Sequence, residues 1–147
     1  MNPKINTPEG DIIGVPPSDA DMQSASQQAR DTFRTFVDQF RKHDPNCSTF
    51  ILKVFYPDSK VPNGGEHLWM TVRSVTDKSA IGIITSRPFF ISTVKGGDLV
   101  EIQLSQISDW LYVQRGRAVG AYTVQLLRSR MTPEQKAQHD SAYPFLF

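Results

Sequence analysis

Glu66, His67 and Trp69 stand together where a Gly64-Gly65 turn opens into an alternating run of residues. A carboxylate beside an imidazole is the material of general acid–base catalysis, since histidine changes charge near neutral pH. With Asp109 as a second carboxylate, these residues would suit a small hydrolase or transferase that uses His67 with Glu66 or Asp109. Geometry weakens that idea, because neighbouring strand residues point to opposite faces and Glu66 and His67 cannot simply cooperate. A plainer role accounts for the same residues. Glu66 ties down the glycine turn, His67 caps the strand and Trp69 packs, as polar groups at strand starts commonly satisfy the backbone. Asp109 would accept backbone N–H groups in a turn, and Trp110 would supply buried area.

Other chemistries find less material. Cys47 follows His43 by four residues, but no third group is evident to orient a thiolate–imidazole pair. His43, His67 and His139 are scattered, with no metal-ligand spacing among them, so no metal is expected. Gly64-Gly65 and Gly96-Gly97 precede strands rather than helices, which is the wrong setting for a phosphate loop. No cofactor is implied. Trp69, Trp110 and Tyr112 could instead form one aromatic patch. Arg115 and Arg117 flank Gly116 at a hairpin tip, with Arg128 and Arg130 as further cations. Aromatic and arginine side chains of this kind are enriched where proteins bind partners.

The elements that must position these residues read as helix, five strands, helix and short helix. Residues 1–17 carry Pro3, Pro8, Gly10, Gly14, Pro16 and Pro17 and read as an irregular arm, with Ile12, Ile13 and Val15 able to dock on the body. Residues 18–147 read as one domain. Ser18 is the expected N-cap of a helix whose apolar stripe runs Met22, Ala25, Ala29, Phe33, Phe36, Val37 and Phe40 and stops before Pro45. Strands are expected at Phe50–Tyr56, His67–Val75, Ser79–Thr85, Leu99–Leu104 and Trp110–Gln114. A helix follows from Tyr122. Thr132-Pro133-Glu134-Gln135 is a capping box with proline at the first helical position. The fold class is therefore α+β. An amphipathic N-terminal helix covers a strongly bent, mainly antiparallel five-stranded sheet, and helices close the chain.

Composition sets the outer bounds. The chain has 147 residues, 39% hydrophobic and 21% charged, enough to bury a core without staples. Sixteen Lys and Arg against 15 Asp and Glu leave a net charge of +1, which supports neither a nucleic-acid partner nor an anionic membrane. No apolar stretch approaches the roughly 20 residues that span a bilayer. One cysteine and no leader-like start make the cytoplasm the expected compartment.

Five blocks recur in a recognisable order: Met22-x-x-Ala25-x-x-x-Ala29-Arg30, Gly65-Glu66-His67-x-Trp69, Gly97-Asp98-x-Val100, Ile107-Ser108-Asp109-Trp110-x-Tyr112, and Gly116-x-x-x-Gly120-x-Tyr122-Thr123. Together they resemble the YegJ-like bacterial family, domain-of-unknown-function family 2314, over about residues 19–131. The resemblance implies a small bacterial α+β domain and transfers no catalytic residues. Binding is thus favoured over catalysis. The expected partner is a protein, one concrete form being an immunity protein that plugs a cognate toxin through Trp69, Trp110, Tyr112, Arg115 and Arg117. A structural domain of a larger complex is the third reading.

Overall fold

The computed structural model of the protein describes residues 19–147; the expected arm 1–17 and Ser18 lie outside them. Asp19 is the N-cap of the first helix, its carboxylate accepting the Met22 N–H at 3.0 Å. The single long helix expected from the apolar stripe is two: α1 (Ala20–Asp31) and α2 (Phe33–Lys42). The break is Thr32. Its hydroxyl donates to the Gln28 carbonyl (2.7 Å) and shares a hydrogen bond with the Tyr122 hydroxyl (2.9 Å). A threonine that bonds back to the preceding turn competes with the helical ladder and bends it. The stripe survives the bend, for Ala25, Ala29, Phe33, Phe36 and Val37 are all buried. His43 in the left-handed conformation (φ 52°) ends α2 just before Pro45, as the proline requires.

Six strands follow where five were expected: β1 (Cys47–Pro57), β2 (Gly65–Val75), β3 (Ser79–Ile84), β4 (Leu99–Gln103), β5 (Ile107–Gln114) and β6 (Arg117–Gly120). The extra strand is β6. Its four residues look like part of a glycine-bounded loop, yet Arg115 and Gly116, both at positive φ, turn a tight hairpin that pairs it with β5. The sheet order is β4-β3-β2-β1-β5-β6, with every pairing antiparallel. Two helices complete the described chain: α3 (Tyr122–Ser129) and α4 (Pro133–Ser141). The expected Thr132–Gln135 capping box opens α4.

The two sheet faces carry different burdens. On the inner face Leu52, Leu68, Met70, Val72, Trp110 and Tyr112 pack with Ala29 of α1 and with Phe33 and Phe36 of α2. On the outer face Trp69, Leu111 and Val113 pack with Ala121 and Val124 around α3 and with the C-terminal Phe145 and Phe147. This makes β5 buried on both sides, which is why Trp110–Val113 within it reads as an unbroken apolar run.

A surface staple joins the start of α1 to the end of α3: Arg130 meets the Asp19 carboxylate at 2.7 and 3.2 Å. The guanidinium hydrogen bond holds the Asp19 carboxyl at about 2, below its ordinary 3.8. The native state therefore favours the ionised form. The staple contributes fully above about pH 4 and is lost as pH falls through the depressed value. The stability difference between wild type and Arg130→Ala, read from denaturant melts, is expected to shrink as pH drops from about 4 toward 2.

Candidate functional site

The polar centre of the outer face is built from three strands and one helix end. Registry places Lys53 on β1 between Asp109 on β5 and Trp69 on β2. Asp109 is completely buried, and each of its carboxylate oxygens is occupied. One accepts the N–H of Trp110 (2.8 Å) and of Tyr122 (3.0 Å); the other accepts the N–H of Thr123 (2.9 Å) and the Thr123 hydroxyl. The Lys53 ammonium donates to the same hydroxyl at 2.6 Å and lies over the Trp69 ring at 5.6 Å. Burial pushes the Asp109 carboxyl above its ordinary value, while the Lys53 charge and the Thr123 hydrogen bonds pull the other way.

The expectation for Asp109 holds in kind and differs in place. It does accept backbone N–H groups, at the first turn of α3 rather than in its own turn. The N-cap of α3 is Ala121 in the left-handed conformation (φ 54°), with no side-chain cap of its own. Alanine is a poor N-cap, so Asp109 supplies the oxygens from the neighbouring strand. The centre thereby clamps α3 to the sheet. Lys53, Ser108 and Thr123 are not among the candidate site residues of the sequence, although Ser108 and Thr123 stand in the family blocks. A lone lysine inside the apolar run Phe50–Tyr56 was the available signal, because a charge there must find a partner.

His67 and Glu66 part company as strand geometry requires. Glu66 does not tie down the glycine turn. Its carboxylate accepts the N–H groups of Phe89 (2.7 Å), Phe90 (2.7 Å) and Ile91 (3.1 Å), fixing the loop between β3 and β4. Three N–H groups converging on one side chain cannot be foreseen from spacing, since the loop lies more than twenty residues away. Glu66→Ala is expected to raise amide hydrogen exchange at Phe89–Ile91 at least tenfold while leaving β5 protected.

His67 hydrogen-bonds Ser108 (Nδ1 to Oγ, 2.9 Å). Ser108 is the extra residue of a β-bulge opposite β1, and its hydroxyl donates to the Lys53 carbonyl at 3.2 Å. The Ser108 hydroxyl thus bridges the His67 ring and the Lys53 carbonyl, and it has one proton to donate between them. Ser108 is also buried, and the hydrogen bonds place His67 with Ser108, Glu66 with the loop and Asp109 with α3.

The aromatic patch expected from sequence does not form. Trp69 lies on the outer face, Trp110 and Tyr112 on the inner one, and all three are buried. The Trp110 indole N–H donates to the Ala29 carbonyl (2.9 Å), and its ring stacks on Tyr112. Arg115 and Arg117 are exposed at the β5–β6 hairpin, but Arg128 pairs with Asp140 and Arg130 with Asp19, so the four arginines make no single basic surface. Burial and Asp44 raise the Cys47 thiol above its ordinary value, the reverse of an activated thiolate. Among the described residues no group of three or more His, Cys, Asp or Glu could hold a metal, and no helix is long and apolar enough to cross a membrane.

What the outer face does present is a half that no described element covers. One row of directly paired residues crosses the sheet: Leu111, Ile51, Thr71, Ile83, Leu99. Leu111 is 0% and Leu99 66% exposed, with Ile51 and Ile83 half-buried and Thr71 exposed between them, because α3 and the C-terminal segment pack around β5, β6 and the neighbouring parts of β1 and β2. In the next row Ile81 is 37% exposed, beside Glu101 and Ser74. Among the described residues the outermost strand, β4, pairs with β3 alone, so one edge of the sheet borders this half. A shallow groove of about 610 Å³ lies elsewhere, between α1 and α3, lined by Ser24, Gln28, Gln125 and Ser129.

The chain resembles two curated proteins. It is 28% identical over 137 residues to a protein named for ankyrin repeats in Neisseria meningitidis serogroup B, covering 90% of this chain and 54% of that one. It is 29% identical over 103 residues to the YegJ protein of Escherichia coli (strain K12), covering 70% of this chain and 64% of that one. The chain thus spans between half and two thirds of the length of these relatives. No solved structure matches it. The family model described as "Uncharacterized protein conserved in bacteria (DUF2314)" matches residues 19–147, from the N-cap of α1 to the last aromatic residue, and the chain belongs to that family.

Proposed function

We propose that the protein is a protein-binding module whose partner docks on the open half of the outer sheet face. The observation that carries this reading is the exposed apolar pair Leu99 and Ile81 beside the edge of β4, which has no second strand partner among the described residues. An apolar group held on a rigid sheet costs little conformational entropy to bury, which favours it as an anchor. The rim is polar and mixed in charge, with Arg73, Thr71 and Glu101 exposed around the apolar pair. An apolar centre with a polar rim is the usual anatomy of a non-obligate interface, which buries about 1,600 Å² in total.

Two further points support binding over turnover. The polar groups near the tryptophans are engaged in holding strands, loop and helix. The Neisseria relative carries the name of a putative ankyrin repeat protein, and ankyrin repeats are stacked scaffolds with extended binding surfaces. The finer version is an immunity protein that neutralises a cognate toxin, acting in the cytoplasm. It takes the open sheet face, not Trp69, Trp110 and Tyr112, as the contact surface.

The test is site-specific photocrosslinking in the native host. A photoreactive residue is placed at position 99, at position 81 and, as control, at exposed Lys136. One and the same protein adduct at 99 and 81, absent at 136, is the expected result. No adduct, or the same adduct at all three positions, contradicts the proposal. For the finer version, the adduct is the product of a neighbouring gene, and co-expression rescues cells from its toxicity.

A further inference from the structure

The far edge of the sheet is occupied. Beside β6 the chain bends at Phe145 and passes through Leu146 to Phe147, adding one parallel bridge, Arg117 to Leu146. Its backbone bonds are two: Ala118 N–H to the Leu146 carbonyl (2.7 Å) and Leu146 N–H to the Gly116 carbonyl (2.9 Å). Side chains alternate as on any strand. Phe145 and Phe147 turn inward to the cluster around Trp69, Leu111 and Val124, whereas the Leu146 side chain is 56% exposed. Phe147 is held most closely. The Arg128 guanidinium lies over its ring at 5.4 Å, the His139 ring at 4.8 Å, and Arg117 donates to its carbonyl at 3.2 Å.

We propose that this edge is a peptide-binding groove for an extended aromatic-X-aromatic segment of a protein partner, with Phe145-Leu146-Phe147 as its resident occupant in cis. The features match strand addition to a sheet edge: main-chain bonds give affinity and pockets for alternate side chains give specificity. The recognition elements belong to the body of the domain, from β6 (Arg117, Ala118), α3 (Arg128) and α4 (His139), so they remain when the resident segment leaves. The middle position makes no inward contact, which leaves it free to vary. A tethered occupant acts at an effective concentration of about millimolar, so a partner must compete at that level or supply further contacts. This surface is separate from the open half of the outer face, and the proposal stands without it.

The probe is a fluorescent peptide, Ala-Tyr-Pro-Phe-Leu-Phe, with a control carrying serine for both phenylalanines. It is titrated into the full chain and into the Phe145→Ser, Phe147→Ser double variant. The vacated variant is expected to bind the probe at least tenfold more tightly than wild type, and the control peptide at least tenfold more weakly than the probe. A vacated variant with native circular dichroism that fails to bind, or equal binding of probe and control, overturns the proposal. Should the double variant not fold, wild type decides. Millimolar probe must then shift the amide resonances of Arg117–Gly120 while those of β3 stay fixed, and unchanged β6 resonances overturn the proposal.

Discussion

Asp109→Ala is expected to destabilise the fold by about 3–5 kcal/mol, the range for removing one partner of a buried charge pair. The loss has two sources. Lys53, itself buried, is left as a charge without its carboxylate, and the N–H groups of Trp110, Tyr122 and Thr123 lose their acceptor in a place water does not reach. α3 should loosen first, because Ala121 offers it no alternative cap. Lys53→Met with Asp109→Asn removes both charges and keeps one acceptor oxygen, so the double variant should lose clearly less than Asp109→Ala. Denaturant melts of the wild type and of these two variants measure both effects. A loss below about 1 kcal/mol for Asp109→Ala would mean that the centre does not clamp the helix.

Gly120→Ala is expected to lose about 2–5 kcal/mol, again by denaturant melts. Gly120 has φ +83°, where a side chain carries a penalty of about 1–2 kcal/mol. An added Cβ would also meet the Trp110 ring at 2.4 Å and the Trp110 carbonyl oxygen at 2.6 Å. The ring cannot retreat, since Phe36, Tyr112 and Tyr122 surround it and its N–H is tied to α1. Overpacking a filled core costs about 1–3 kcal/mol more. Gly116→Ala tests the division. It shares a positive φ (+79°) but meets nothing within 4 Å, so it should lose only the conformational part.

Which parts of this were legible from sequence follows from the range of each interaction. Local rules located the capping box of α4, the end of α2 before Pro45 and the alternation of β2, because each depends on residues a few positions apart. The family blocks were legible for the same reason, and the match to residues 19–147 extends the expected 19–131 to include the aromatic segment. Thr32 hid its effect, because a threonine within an unbroken stripe bends a helix only when its hydroxyl finds the preceding turn and a distant tyrosine. β6 hid because four residues between glycines carry too little pattern to read as a strand. The polar centre was half legible. Asp109 stood out, but its use as the cap of a helix fourteen residues on, and its pairing with Lys53 across the sheet, depend on register that no local pattern encodes. The aromatic patch failed on parity: Trp69 and Trp110 sit on opposite faces because Lys53 pairs with one and Leu52 with the other.

The central claim is that the open sheet face, not the polar centre, meets other molecules. Its most direct measurement is the equilibrium affinity of the partner captured at position 99 for three forms of the protein: wild type, Leu99→Asp and His67→Ala. Leu99→Asp should weaken binding by about thirtyfold or more, as for loss of a central apolar anchor, and His67→Ala should change it less than threefold. Undiminished binding by Leu99→Asp, with loss in His67→Ala, would contradict the account and return the function to the polar residues around His67.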